Sequence, residues 1–449
     1  MNRKISLGAA LALMLVITAV TFSVTMIFSR QMFNSTTSNL SQREAMYEKL
    51  AEIDKYVRTN YSGTIDEDLL NDNLAAGYMA GLGDTYAAYY SAEDYAALTQ
   101  SNQGSVVGIG ISATQDESGY IRVEEVYPDS PAEQAGIKEG SLIIKVNDID
   151  VTAETYSQAL SSISGKAGTK LSLVVRNGSE DTEIPEVTRR SVQRPTVYTK
   201  MYSTAGYLKI TDFNLNTYDQ FKKALDEVMS NGATALIFDV RNNYGGSIDS
   251  VIKILDLLLP EGDIATATYK DGRTEVLGTS DASYVNLPMV VLTNKNTASA
   301  AELFTQALRD YGVAKSVGET TYGKGVMQVT EPLKDGSAIR LTIAKCNPPK
   351  SSNFDGVGIR PDYEISLTED QAKMLELLEN ASDPQLDKAL ELIKSDATST
   401  QPAAQPSQED ATLEETTSPE EDASSDEGAS SEEDTTSEEE TTSEEETAE

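Results

Sequence analysis

The sequence contains no histidine and no tryptophan, and its only cysteine is Cys346. The lack of histidine excludes a Ser-His-Asp triad, and with a single cysteine it also excludes a zinc site built from cysteine and histidine. One cysteine cannot form a disulfide within the chain. Cys346 follows an alternating apolar segment, which predicts a packed thiol near a strand end. A nucleophilic serine in this chain therefore needs a base other than histidine.

Aromatic residues make up only 6% of the 449 residues, and the net charge is -36. Residues 401–449 alone contain 19 acidic residues and no lysine or arginine. Such a segment buries too little apolar surface to offset the entropy of ordering, so we expect residues 396–449 to be a disordered, solvated tail. The rest of the chain is also acidic, which disfavours nucleic acid as a partner.

Residues 5–28 contain no charged residue, and Arg3 and Lys4 precede them. A stretch of this length can cross about 30 Å of hydrocarbon. It lacks the small-residue exit of a cleaved signal peptide, which favours an uncleaved signal anchor at 1–30 with its positive end in the cytoplasm. The alternative is a helix buried in a soluble core. On the first interpretation one transmembrane helix anchors the chain, and everything after about residue 30 is extracytoplasmic.

Four further regions differ in their apolar pattern. Residues 40–100 predict helices, because apolar residues recur at intervals of three and four. Residues 101–190 alternate over short segments and predict a β-rich domain. Residues 197–365 alternate buried strands with helices, which predicts a mainly parallel α/β sheet. Residues 366–395 contain at least one more helix.

Ser299 lies between the apolar strand "LPMVVLTN" and the helix "AELFTQAL". Turns at the C-terminal ends of strands are where open α/β sheets bind ligands. Ser299 is therefore either a nucleophile or an ordinary helix cap. Without histidine, the base of a reactive serine must be a lysine, a carboxylate or an N-terminal amine.

Lys324 is the candidate base, because it lies between two glycines ahead of an apolar strand. Burial there would lower the pKa of the lysine and allow it to act unprotonated, whereas the alternative is a solvated loop lysine. Gln328 follows four residues later, and even spacing along an extended strand would place both side chains on one face. Its amide could then hold the amine by a hydrogen bond. The alternative is an ordinary strand glutamine.

Gly245 and Gly246 end the segment "FDVRNNYGG", which begins in another buried strand. Their N–H groups could join that of Ala300, at the start of the next helix, in an oxyanion hole beside Ser299. A plain connection between strand and helix is the alternative.

These segments, with "GYLKITDF", "VGETTYGKGVMQ" and "GVGIRPD", resemble the carboxyl-terminal processing peptidases, which are tail-specific serine proteases with a Ser–Lys dyad and an inserted PDZ domain. The resemblance extends from about residue 45 to about residue 395. It implies an α/β protease core of the crotonase-like ClpP and tail-specific protease type. It also implies that Ser299 is the nucleophile, Lys324 the general base and Gln328 the residue that orients the lysine.

The same resemblance assigns Gly245, Gly246 and Ala300 to the segments that supply the oxyanion hole. This chain departs from the family pattern at Tyr244, which replaces the proline of the usual "NNPGG", and in "TASAAE", which replaces a serine-rich segment.

Residues 101–190 resemble a PDZ domain, with "VVGIGI" in the place of the carboxylate-binding loop. Glycines in such a loop let successive N–H groups converge on a terminal carboxylate. The resemblance assigns peptide binding to Val107, Gly108, Ile109, Gly110 and Ile111.

The expected function is an extracytoplasmic, membrane-anchored serine endopeptidase that recognises protein C-termini through its PDZ domain and needs no metal or other cofactor. Its partners are then protein or peptide substrates with free C-termini. A second copy of the chain, bound through the helices at 40–100 and 366–395, is a further candidate partner. The alternative is a weak or inactive PDZ scaffold on a degenerate protease fold, for which Tyr244 and the altered serine segment are the arguments.

Overall fold

The structure is a computed structural model, and it describes residues 8, 14–26, 40–373, 375 and 383–399. Residues 14–26 form helix α1. Within the described part of the chain, no helix is both long and apolar enough to cross a membrane. The predicted transmembrane helix is thus not found among the described residues. Most of the remaining predicted anchor, and the acidic tail from residue 400 onward, lie outside the described residues.

Three helices follow, as the pattern at 40–100 predicts: α2 Leu40–Asn60, α3 Glu67–Ala80 and α4 Ala92–Asn102. The apolar stripe of α2 remains largely uncovered within the chain, since Leu50, Ile53 and Val57 are 39%, 50% and 37% exposed. Arg58 on α2 binds Glu67 at the start of α3 at 2.6 Å, which links the two helices by an exposed ion pair.

The β-rich region forms an antiparallel sheet in the order β3-β4-β5-β7-β8, with β6 paired to β5. A separate pair, β2 with β9, joins the two ends of the region. Alternating apolar residues of this sheet, such as Ile121, Ile143 and Leu173, fill a core of its own. The elements are β2 Ser105–Gly108, β3 Ile111–Gln115, β4 Ile121–Val126, α5 Pro131–Gln134, β5 Leu142–Val146, β6 Ile149–Asp150, α6 Tyr156–Ile163, β7 Lys170–Asn177, β8 Glu180–Thr188 and β9 Arg190–Gln193.

The α/β region is a six-stranded sheet in the order β10-β11-β12-β15-β16-β19. All its pairings are parallel except that of β10 with β11. The continuous apolar strands β12 and β15 are buried on both faces, as expected of a parallel sheet. The elements are β10 Val197–Tyr202, β11 Ala205–Ile210, α7 Thr217–Ser230, β12 Ala235–Asp239, α8 Ile248–Asp256, β15 Met289–Thr293, α9 Ala300–Asp310, β16 Ala314–Gly318 and β19 Tyr363–Glu364.

Helices cover both faces of this sheet. The apolar faces of α7, α8 and α9 pack into one large core. Two C-terminal helices follow β19, namely α10 Glu369–Lys373 and α11 Pro384–Ser399. Leu386, Ala389 and Ile393 of α11 pack on the opposite face of the sheet.

A second, antiparallel sheet adjoins this core, in the order β1-β18-β13-β14 with β17 paired to β18. The sequence pattern did not predict this sheet. Cys346 lies one residue before the end of β18, where burial raises the pKa of its thiol to about 12, and the packed thiol is confirmed. The strands are β1 Ala88–Tyr90, β13 Gly262–Tyr269, β14 Thr274–Ser280, β17 Val326–Pro332 and β18 Ala338–Asn347.

Candidate active site

Three connections meet at the C-terminal edge of the parallel sheet. They follow β12, β15 and β16, which are parallel neighbours, so their C-terminal ends lie together. The connections are residues 240–247, residues 294–299 and residues 319–325. The predicted nucleophile, base and oxyanion segments all lie in or directly beside these three connections.

Ser299 directly precedes α9 and adopts φ 56 and ψ −117. This backbone conformation is uncommon for a residue other than glycine and costs on the order of 1–3 kcal/mol. The surrounding contacts must therefore hold it, and strain of this kind concentrates at functional turns. The Ser299 N–H donates to Glu302 Oε2 at 2.8 Å.

The glycine turn packs directly against Ser299. Gly245 has φ 99, and a Cβ there would lie 2.7 Å from the Ala298 carbonyl oxygen and 2.9 Å from Ser299 Cβ. A Cβ on Gly246, whose φ is 133, would lie 2.1 Å from the carbonyl oxygen of Phe213. Neither position accepts a side chain, so both glycines serve the close approach of the two turns.

The structure distinguishes the three predicted oxyanion donors. The Gly245 N–H is already donated to Asn243 Oδ1 at 2.8 Å. Within the described residues, the N–H groups of Gly246 and Ala300 have no acceptor. Gly246 lies with Ser299 on the wall of a cleft of about 480 Å³. In this conformation, Gly246 and Ala300 are thus the available donors. The lack of a side chain at Gly245 lets the two turns approach closely.

Two asparagines next to Tyr244 hold the glycine turn. Asn243 Nδ2 donates to the Ile210 carbonyl at 2.9 Å, and the Asn243 carbonyl accepts from Ala298 N–H at 2.9 Å. The Asn242 N–H donates to Asn294 Oδ1 at 2.9 Å. Tyr244 itself is 71% exposed and faces the cleft. The contacts that hold the turn are therefore made by Asn242 and Asn243 and not by the side chain of Tyr244.

A buried ion network supports the same turn from behind. Arg241 binds Asp239 Oδ2 at 2.6 Å and Asp383 Oδ2, just before α11, at 2.8 Å. It also donates to Gln385 Oε1 at 3.0 Å. Burial opposes ionisation of Asp239, yet the charge of Arg241 holds the pKa of this carboxyl below its usual range. Removing one partner of such a buried pair typically costs about 3–5 kcal/mol.

Lys324 is half-buried in the same cleft as Ser299, and both residues also line a small apolar cavity. Burial of the amine and then the positive charge of Arg340 hold the pKa of Lys324 below its usual range. The charges of Asp84 and Glu302 act in the opposite direction. The Lys324 Nζ lies 4.5 Å from the centre of the Tyr86 ring. The residue thus has the environment of a general base rather than that of a solvated lysine.

Gln328 lines the cleft with Ser299 and Lys324, but its amide donates to Thr342 Oγ1 at 3.2 Å. The strand argument for its position is wrong in detail. Lys324 lies before β17, which begins at Val326, and the strand register shifts just before Gln328. The two side chains reach one cleft through the bend of the loop and not through simple alternation.

Sequence reasoning missed Glu302, which connects nucleophile and base. This carboxylate is completely buried on α9. Its Oε2 accepts from the Ser299 and Lys324 N–H groups at 2.8 Å each. Its Oε1 accepts from Gly323 N–H at 2.7 Å and from the Thr321 hydroxyl. The signal was present as the spacing Ser-x-x-Glu, which is typical of a helix start.

Sequence reasoning also missed the contribution of the N-terminal helical region. The turn between α3 and β1 supplies Asp84 and Tyr86 beside Lys324. β1 pairs with β18 and thereby fixes this segment, with Ala88 opposite Arg340. No local pattern signals these contacts, since they join segments about 250 residues apart.

The predicted peptide-binding loop of the β-rich domain lies between β2 and β3. Val107 and Gly108 end β2, and Ile111 begins β3. Within the described residues, the N–H groups of Ile109 and Gly110 have no acceptor, and β3 lies at one end of its sheet. Both features suit capture of a chain terminus with strand addition.

The fold and the site together define a serine peptidase that carries a PDZ domain. The sequence profile of Peptidase family S41 matches residues 204–365, and that of the PDZ domain matches residues 122–177. A CtpA-like serine protease of Staphylococcus aureus (strain N315) is 31% identical over 360 residues, which cover 79% of this chain and 71% of that protein. The chain belongs to peptidase family S41.

Two further similarities agree with this assignment. The carboxy-terminal processing protease CtpA of Bacillus subtilis (strain 168) is 32% identical over 336 residues, which cover 74% of this chain and 72% of that protein. A solved structure from Bacteroides fragilis NCTC 9343, assigned to the S41 proteases, is 19% identical and covers 75% of this chain and 93% of its own, with a TM-score of 0.50. That structure shows the same fold.

Proposed function

We propose that this chain is a membrane-anchored, extracytoplasmic endopeptidase that selects proteins by their C-termini and cleaves them with a Ser299–Lys324 dyad. The observation that carries the proposal is the shared cleft, where a half-buried lysine of lowered pKa faces a serine held in a strained turn. The name of the Bacillus subtilis relative, a carboxy-terminal processing protease, supports the substrate class.

The reaction follows from these positions. The neutral amine of Lys324 accepts the proton of Ser299 as Oγ attacks the scissile carbonyl carbon. The N–H groups of Gly246 and Ala300 donate to the resulting oxyanion. The Lys324 ammonium then returns its proton to the leaving amine, and an acyl-enzyme remains on Ser299. Water attacks the ester while Lys324 again accepts a proton, which releases the new carboxyl terminus and restores the serine.

Recognition of the C-terminus is assigned to the loop at Ile109 and Gly110. Blocking the terminal carboxylate of an unfolded substrate as an amide removes the charge that these N–H groups would bind. We expect kcat/KM to fall by about tenfold or more, a loss of roughly 1.4 kcal/mol, as free-acid and amide forms of one polypeptide are compared. The matched control is a peptide too short to reach the active-site cleft and the PDZ loop at the same time. Amidation of its C-terminus should leave its rate of cleavage unchanged. Equal rates for the free-acid and amide forms of the long polypeptide would contradict C-terminal selection. They would not contradict catalysis by the Ser299–Lys324 dyad.

Membrane attachment rests on the uncharged residues 5–28 and on the flanking Arg3 and Lys4. We expect the full chain to sediment with membranes and a chain that starts at residue 40 to stay in the supernatant. External protease should degrade the catalytic part of the full chain in intact spheroplasts. Protection of the catalytic part from the external protease would instead place it in the cytoplasm and contradict the proposed location.

We propose that a second copy of this chain packs against the exposed apolar face of α2 and forms a dimer. Leu50, Ile53 and Val57 form one stripe that this chain leaves open to solvent. Sedimentation of residues 40–399 tests the dimer, with Ile53→Asp as the disrupting variant and Glu48→Gln as the control on the same helix. A monomer at micromolar concentration contradicts it.

A further inference from the structure

The cleft that holds the candidate dyad also contains a guanidinium group, and no step of the proposed reaction uses this group. Arg340, on β18, lines the cleft together with Ser299, Lys324 and Gln328. We propose that Arg340 is a positioning residue that keeps Lys324 unprotonated by holding a fixed, uncompensated positive charge in the same cleft. This inference rests on the Ser299–Lys324 dyad proposed above.

The guanidinium is held in place from two sides. Arg340 Nε donates to the carbonyl oxygen of Tyr86 at 3.0 Å. The guanidinium carbon lies 5.3 Å from the centre of the Tyr90 ring, within the range of a cation–π contact. Tyr90 lies in β1 and Tyr86 just before it, so the pairing of β1 with β18 holds both contacts beside Arg340.

Within the described residues, Arg340 forms no ion pair with a carboxylate. By contrast, Asp212, which lines the same cleft, is paired with Arg194, and Asp362 is paired with Arg309 at 2.8 Å. A guanidinium without an ion-pair partner is not neutralised by a nearby carboxylate, and a like charge disfavours protonation of an amine.

The acidic groups that face Lys324 are tied to other donors. Asp84 Oδ1 accepts from Tyr86 N–H at 2.9 Å, and its Oδ2 accepts from Thr342 N–H at 3.3 Å. Glu302 accepts four hydrogen bonds from the two turns. These bonds draw the carboxylate oxygens toward backbone donors and away from the amine, so the two carboxylates do not form an ion pair with Lys324 among the described contacts.

The remaining groups around the amine add little charge. Burial, and next the hydrogen bond between the Tyr86 and Tyr322 hydroxyls, raises the pKa of Tyr86 to about 12, so its phenol stays neutral over the working range. Asp355 Oδ1 accepts from Gly325 N–H at 3.1 Å, on the far side of the loop. Burial and Arg340 together outweigh Asp84 and Glu302, and the pKa of Lys324 is lowered as a result.

The test is the pH dependence of kcat/KM for an unfolded substrate, in wild type and in three variants. Arg340→Gln and Arg340→Met remove the charge, and the methionine retains apolar contact with the Tyr90 ring. Arg340→Lys retains the charge. Arg360→Gln is the matched control, since it removes the same charge from an exposed site paired with Glu364.

Without the charge at 340, Lys324 is protonated up to a higher pH. We therefore expect kcat/KM of Arg340→Gln and Arg340→Met to be about threefold to tenfold lower at pH 7, with equal values on the alkaline plateau. Arg340→Lys should restore most of the loss, and Arg360→Gln should match wild type. A merely structural role would lower activity at every pH and would not be restored by lysine.

Two results overturn the inference. One is an unchanged pH profile in both neutral variants. The other is a loss confined to the KM of acidic substrates, which would make Arg340 a contact for a substrate carboxylate. The parallel Ser299→Ala assay separates this failure from failure of the dyad, because a dyad that is absent leaves Ser299→Ala active. If one neutral variant does not fold, the other still decides the question.

Discussion

Replacing Ser299 by alanine or Lys324 by methionine should each lower kcat for proteolysis by about 10⁴-fold or more, and the double variant should be no worse than either single one. Alanine removes the attacking oxygen. Methionine has a similar length to lysine but cannot accept the proton, and a serine at its ordinary pKa is a poor nucleophile. Because the two groups act in one step, their losses do not add.

The measurement is the rate of appearance of new C-termini from an unfolded protein, followed by mass spectrometry. Ser101→Ala is the matched control, since Ser101 lines the same cleft without any part in the proposed reaction. Lys334→Met, at an exposed position, controls for loss of a lysine. Cleavage by purified Ser299→Ala at the wild-type rate would contradict the proposed mechanism. Full activity of the Lys324→Met enzyme would show that a group other than Lys324 acts as the general base.

A second large effect is expected at Glu302, which holds the serine turn and the lysine loop together. Replacing it by alanine leaves three backbone N–H groups and the Thr321 hydroxyl without their acceptor. Each buried donor left unsatisfied costs about 1–3 kcal/mol, so we expect a loss of at least about 3 kcal/mol in the free energy of unfolding. A displacement of about 1 Å between serine and lysine can cost 10²-fold, so kcat should fall by roughly that factor or more.

Thermal unfolding and steady-state kinetics measure these two effects separately. Glu302→Gln keeps the volume but turns an amide N–H toward backbone donors, so it should remain impaired despite its similar shape. Glu331→Ala, at an exposed position of β17, is the control for loss of a carboxylate. Since Glu302 does not touch the substrate in this scheme, KM should change little. A Glu302→Ala enzyme with normal stability and kcat would show that the two turns hold their geometry without it.

How far the sequence predicts this site depends on how local each signal is. Ser299, Gly245 and Gly246 lie in strand-to-helix turns, which mark them as candidates without excluding a plain cap or connection. Lys324 is a candidate because of its flanking glycines, and the resemblance to the carboxyl-terminal processing peptidases is what assigns the roles. These features follow from a few adjacent residues and from the absence of histidine in the whole chain.

The parts that sequence reasoning missed depend on distant pairings. Tyr86 and Arg340 meet because β1 pairs with β18, across a separation of 254 residues. The second sheet is antiparallel and half-exposed, and its strands lie far apart in the chain, so their pairing has no local signature. Gln328 was identified although the geometric argument was wrong, since neither the start of β17 after Lys324 nor the register shift is visible in the pattern of residues.

The anchorage of α11 sets a limit on how far this chain can lose its own C-terminal end. Arg241, behind the glycine turn, binds Asp383 just before α11 and Gln385 within it. Loss of residues from Asp383 onward takes these two partners away and leaves a buried guanidinium with Asp239 alone. A peptidase that lost this helix to proteolysis would thus lose the support of its own glycine turn, and we expect such truncation to inactivate it.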